Sequence, residues 1–185
     1  MLRHLAISGS LAGWAWVVHE SGGEWPRCQP GPRLSLEAGR DGELRTWRVG
    51  GSWWDCPVRA RVAGQALHWQ PLLSWTHWQS HGAVPGARHA DDLTLLPLLR
   101  WRAPMGFGLH GGVHLGIGAT LLSEPAIGRR RKSTVWQFTD QLGLHLEPED
   151  ARWRLGLVYR HVSNADIQRP NDSVDLIGLS WEWTH

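Results

Sequence analysis

A chain of 185 residues can hold one domain with a full core and is too short for two ordinary ones. Gly 22, Pro 11 and Trp 14 against Phe 2 and Tyr 1 make a turn-rich, tryptophan-heavy composition, and a net charge of +2 gives no ground for a nucleic-acid binder. No window holds the roughly 18 uninterrupted apolar residues of a spanning helix, which excludes a helical membrane protein but not a barrel, whose alternating strands keep mean hydropathy low.

The chain opens with MLRH and then LAISGSLAGWAWVV, a basic head and an apolar run that suit a signal peptide better than a spanning segment. HESGGEWPRCQPGP follows as a Pro/Gly-rich linker, so residues 1–30 are expected to be leader and linker, and 31–185 the folded domain. An ordinary terminal strand or helix is the alternative for the opening run. Cys28 and Cys56 exclude a disulfide-rich mini-protein and a four-cysteine zinc site. They fit one bridge in an oxidising compartment, worth about 3–4 kcal/mol, or two buried thiols.

From about residue 33 the pattern turns to period two. It is short at 33–39 and weak at 43–54, 66–78 and 92–102. In 107–121, Phe107, Leu109, Val113, Leu115, Ile117 and Leu121 share one face, and Gly108, His110, His114, Gly116 and Thr120 the other. Helical spacing would scatter these residues around a cylinder, so this is a strand. In 134–146 Trp136, Phe138, Leu142 and Leu144 oppose Gln137, Thr139, Gln141 and His145. In 152–163 Trp153, Leu155, Leu157 and Tyr159 oppose Arg152, Arg154 and Arg160. In 174–184 Ile177, Leu179, Trp181 and Trp183 oppose Gly178, Ser180 and Glu182.

Eight strands result, several about 10–14 residues long, against about 5–6 for a soluble strand and about 9–11 for a tilted bilayer crossing. The fold class is therefore all-β, with closure removing the edges that long strands would expose. A soluble lipocalin-like barrel turns its apolar face inward, an outer-membrane barrel outward. The polar face carries arginines, Glu182, histidines and many glycines, which suits a crowded lumen; the apolar face carries nine tryptophans, too many for a small soluble core. The expectation is an eight-stranded antiparallel transmembrane barrel. Segments 79–90, 122–132 and 165–172 read as long external loops, and 103–106 and 147–151 as short turns. The first hairpin disagrees, with 40–42 short and 55–64 long.

The segment YRHVSNADIQRPNDSVD (159–175) carries the chemistry. His161 and Ser163 leave the same apolar face, roughly 6–7 Å apart at Cα. A hairpin centred on Gln168 makes His161 and Asp175 cross-strand neighbours. A hydroxyl becomes a nucleophile when an imidazole takes its proton, and a carboxylate fixes the imidazole's tautomer. Asn164 and the backbone N–H groups that follow it, Ala165 first, are the candidate oxyanion donors.

The stretch HVSNADIQRPNDSVD (161–175) resembles the outer-membrane lipid A 3-O-deacylase family (PagL), with its His-x-Ser-Asn-Ala block, a downstream Pro-Asn-Asp and then an acidic residue. QFTDQLGLHL (137–146) is a second match, in which Phe138 fits a family aromatic, and RTWRVGGSWWD (45–55) a fainter one. The resemblance implies an eight-stranded barrel in the bacterial outer membrane. It would remove the ester-linked 3-hydroxyacyl chain at position 3 of lipid A in lipopolysaccharide, with nucleophile Ser163, base His161 and Asn164 in the oxyanion hole. It also implies a homodimer. Two residues depart from the family: the acid is Asp175 where Glu is typical, and Asp166 stands where Gly is usual.

Arg129, Arg130, Arg131 and Lys132 lie in an external loop and could grip lipopolysaccharide phosphates, or form a solvated basic surface. His110 and His114 are roughly 13 Å apart on their strand, too far to share one ion, and His77, His81 and His89 have no ligand spacing. No metal or cofactor is expected. No G-x-S-x-G elbow is present, which argues against an α/β-hydrolase. The rival readings are a non-catalytic structural or adhesion barrel of the small outer-membrane type, and a soluble lipocalin-like carrier.

Overall fold

A computed structural model describes residues 28–81 and 85–184. Most of the leader read over 1–30 lies outside the described residues. The strands are β1 (Gln29–Arg40), β2 (Leu44–Val62), β3 (Gln65–Ser80), β4 (His89–Gly106) and β5 (Leu109–Leu122). After them come a short hairpin, β6 (Ala126–Ile127) with β7 (Arg130–Arg131), and then β8 (Trp136–Pro148), β9 (Trp153–Ser163) and β10 (Val174–Thr184). All but the short hairpin form one closed antiparallel barrel in the order β1-β10-β9-β8-β5-β4-β3-β2. Closure is made by β1 on β10, with Arg33 opposite Thr184 and Arg40 opposite Ile177.

The alternation read from the sequence sorts residues to the two sides of this wall. Leu95, Leu142, Leu157 and Leu179 point outward and are 50–61% exposed, while Arg100, Arg154, Arg160, Gln141 and Glu182 are buried in the lumen. An apolar exterior around a polar, filled interior is the arrangement of a barrel whose solvent is lipid. In the lumen, charge is matched by charge. Arg154 contacts Glu147 at 2.6 Å and Glu182 at 2.7 Å, and Arg100 reaches Glu182 at 2.9 Å. Higher up, Arg48 bonds Gln141 at 2.7 Å and Glu37 at 3.3 Å. Space is tight enough to require glycine: a Cβ on Gly143 would run into the His114 ring. The loop end is sealed by an apolar cluster of Leu44, Trp78, Leu122, Val162, Val174 and Leu176, onto which the loop hairpin lowers Ile127.

Two connections differ from their sequence reading. β2 continues to Val62, so 55–62 is strand, and the turn is the pair Ala63–Gly64, both at positive φ. Register shifts between Gly51 and Cys56 and between Val58 and Arg61 break the alternation there and hide the strand. β4 likewise runs through 103–106 to a two-residue turn at Phe107–Gly108, which takes Phe107 out of its expected strand and leaves it fully exposed. Two-residue turns with φ positive at both positions match the strand twist. The β2–β3 connection thus conforms, a short turn at the end opposite the long β3–β4, β5–β8 and β9–β10 connections, while the β1–β2 connection at 41–43 stays short at the loop end, where Asp41 meets Arg130. The folded wall begins at Gln29, and Cys28 and Cys56 are joined, tying its start to β2.

Candidate active site on the outer wall

The last hairpin builds the site. β9 and β10 pair so that Asp175 lies opposite His161, the register expected from a turn centred on Gln168. Tyr159, His161 and Ser163 leave β9 on its outward face near the loop end, and Asp175 heads the outward row of β10. His161 Nδ1 is 2.8 Å from Asp175 Oδ1. A carboxylate can only accept, so the proton sits on Nδ1 and Nε2 is the basic nitrogen. Tyr159 Oη donates to the same oxygen at 2.6 Å. The shorter Asp side chain therefore reaches the imidazole directly, because register pairs sit close enough to need no longer arm. On the other flank of His161 stands Asp140 of β8, and Phe138 is the β8 partner of Ser163.

Beyond Ser163 the backbone turns sharply. Ile167 N–H donates to the Asn164 carbonyl at 3.1 Å across Ala165 and Asp166, both left-handed with φ of 55° and 59°. Asp is among the side chains that tolerate this region. Ala165 N–H points at Ser163 Oγ from 3.4 Å, a long and easily exchanged bond. Asn164 is 2% exposed, and its amide is committed elsewhere. Nδ2 donates to Ser133 Oγ at 3.0 Å and to the Gln168 carbonyl at 2.7 Å, while the backbone N–H donates to Asn171 Oδ1 at 3.0 Å. In this arrangement Asn164 has no N–H left for an oxyanion; the one facing the serine is that of Ala165.

The basic loop divides. Arg129 and Arg131 are exposed. Arg130 is held by Asp41 at 3.3 Å and by the Ser173 carbonyl at 3.2 Å. Lys132 is 5% exposed and faces inward. Sequence reasoning missed Tyr159 as a partner of the acid, although its place two residues before His161 on the same row could have shown it. It also missed Ser133, whose partners come from a loop far along the chain. Among the described residues, no group of three or more His, Cys, Asp or Glu is placed to hold a metal.

Wall and site together define an outer-membrane barrel that carries a serine, an imidazole and a carboxylate on its lipid-facing side. The model of the lipid A 3-O-deacylase (PagL) family matches residues 45–184, and the chain belongs to that family. It is 33% identical over 116 residues to the lipid A deacylase PagL of Bordetella bronchiseptica, an alignment that covers 61% of this chain and 60% of that protein. The match to that relative thus spans less than two thirds of its length. To the lipid A deacylase PagL of Pseudomonas aeruginosa it is 24% identical over 152 residues, 80% of this chain and 84% of that one. The crystal structure of the outer membrane enzyme PagL superposes with a TM-score of 0.72 at 22% identity, covering 82% of this chain and 98% of that one, which supports the fold.

Proposed function

We propose that this barrel is a serine esterase that hydrolyses the ester-linked 3-hydroxyacyl chain at position 3 of lipid A, from the outer leaflet of the outer membrane. The observation that carries the reading is the 2.8 Å His161–Asp175 bond, with Ser163 two residues on along the same outward row. Placing three polar groups on a surface that otherwise meets hydrocarbon is costly, and chemistry on a lipid is a reason to keep them there.

In this reading His161 Nε2 takes the Ser163 proton as Oγ adds to the ester carbonyl, and Asp175 stabilises the imidazolium. The Ala165 N–H, held in place by Asn164, receives the oxyanion. Collapse breaks the bond to the sugar oxygen, which takes the proton from His161 and leaves as the 3-hydroxyl. Water, deprotonated by His161, then cleaves the acyl-serine and releases a 3-hydroxy fatty acid. Phe138, cross-strand from Ser163, lies where the acyl chain would lie, and the exposed Arg129 and Arg131 are the candidates for lipid A phosphates. Arg130 has a lesser claim, being tied to Asp41. A homodimer belongs to the same reading by family resemblance alone.

The deciding experiment is mass spectrometry of lipid A from cells that express the chain. Wild type should yield lipid A lighter by one 3-hydroxyacyl group, and Ser163→Ala should yield none of it. Deacylation undiminished in Ser163→Ala would remove the serine mechanism, and unchanged lipid A with wild type would favour a structural barrel.

A further inference from the structure

The dipeptide Lys132–Ser133, on the long loop between β5 and β8, touches the nucleophile's turn at five points. Lys132 Nζ donates to the Val162 carbonyl at 2.9 Å and to the Asp172 carbonyl at 3.0 Å. Ser133 Oγ donates to the Gln168 carbonyl at 2.7 Å and accepts from Asn164 Nδ2 at 3.0 Å. Ser133 N–H donates to the Pro170 carbonyl at 2.8 Å. Val162 O belongs to the peptide group whose nitrogen is that of Ser163, so an ammonium bonded to it fixes the plane from which the serine side chain departs. Lys132 is the sole lysine in a chain with 19 basic residues, and it is buried in place of solvating the loop.

We propose that Lys132 and Ser133 are positioning residues that hold the Ser163–Asp172 segment in its reactive shape, with Lys132 acting through the Val162 carbonyl. This rests on Ser163 being the nucleophile. It replaces the reading of Lys132 as a phosphate ligand, since its ammonium faces two carbonyls and not the exterior.

The groups that face Lys132 are Asp172 and Asp175, which favour its charge, and Arg130, which opposes it; burial outweighs them and lowers it to about 8. Activity should therefore fall as pH rises through about 8, when the charge-assisted bonds become ordinary ones. Stability should not fall with it. The folded value lies below the ordinary 10.5, so between about 8 and 10.5 the unfolded chain binds more protons and stability rises with pH.

The test uses the full chain in detergent micelles with purified lipopolysaccharide, following release of 3-hydroxy fatty acid and amide exchange over 163–172. Heat-dependent gel migration reports barrel closure. Lys132→Met should lower kcat about tenfold with KM nearly unchanged and speed exchange over 163–172. Lys132→Arg should restore part of the rate and remove the alkaline fall. Ser133→Ala should lower kcat a few-fold, and it decides the matter if Lys132→Met does not close into a barrel. Wild-type kcat and exchange in either variant, or a loss confined to KM, would overturn the proposal. Activity surviving in Ser163→Ala would instead overturn the nucleophile assignment, and the exchange data alone would then show whether the clamp exists.

Discussion

Asp175 Oδ1 accepts from both Tyr159 and His161, so the single oxygen that orients the imidazole is itself oriented. Removing its charge while keeping its shape tests this. Asp175→Asn should lower kcat by about 10⁴, since an amide can present an N–H to Nδ1 and hold the wrong tautomer. Tyr159→Phe keeps the carboxylate and removes one of its anchors, so a loss of about tenfold or less in kcat is expected from the same assay. A Tyr159→Phe effect as large as that of Asp175→Asn would mean that the phenol contacts substrate. Asp166 shows the same economy of local geometry. Its φ of 59° is glycine-like, and its side chain accepts from Asn171 Nδ2 at 3.3 Å within the same loop.

Each barrel strand presents one row to lipid and one to the lumen, and the two rows obey opposite rules. Leu157 sits midway along β9 and is 50% exposed on the outer row. Leu157→Arg should destabilise the folded protein by about 2–4 kcal/mol in urea titrations from lipid vesicles, because a guanidinium at mid-bilayer loses its water. Its neighbours Gly156 and Val158 face inward, where a large side chain meets other atoms and no lipid. Gly156 leaves little room for a side chain, since a Cβ there would come 2.5 Å from Ser180 Oγ and the hydroxyl would have to turn away. Where this rule of two is interrupted, as along β2 by its register shifts, the strand persists in structure but loses its sequence signature.

The whole barrel is a closed ring around a charged core, and its parts depend on one another through that core. Arg154 on β9 joins Glu147 on β8 to Glu182 on β10, and Glu182 is shared with Arg100 across the lumen on β4. Arg154→Ala would strip one partner from each of two buried carboxylates. A loss of about 3–5 kcal/mol is expected, measured by the same urea titration. A much smaller loss would mean that lumen water replaces the guanidinium. The site on the outer wall gains from this rigidity. β8, β9 and β10 supply Phe138, His161 with Ser163, and Asp175, and the Arg154 network ties those three strands together toward their opposite end.

The barrel class, the outward direction of the apolar rows and the His161–Asp175 register were legible in residue order alone. Alternation and hairpin spacing are local properties, and a strand keeps its period of two wherever it sits. The ends of β2 and β4 were not legible, because a shifted register makes a paired residue look like a loop residue. Nor were the partners of Asn164, the inward turn of Lys132 or the link from Ser133 to Gln168. The Lys132 and Ser133 contacts join segments thirty to forty residues apart that the β8–β9 hairpin brings together, and nothing in either segment's own composition records the meeting.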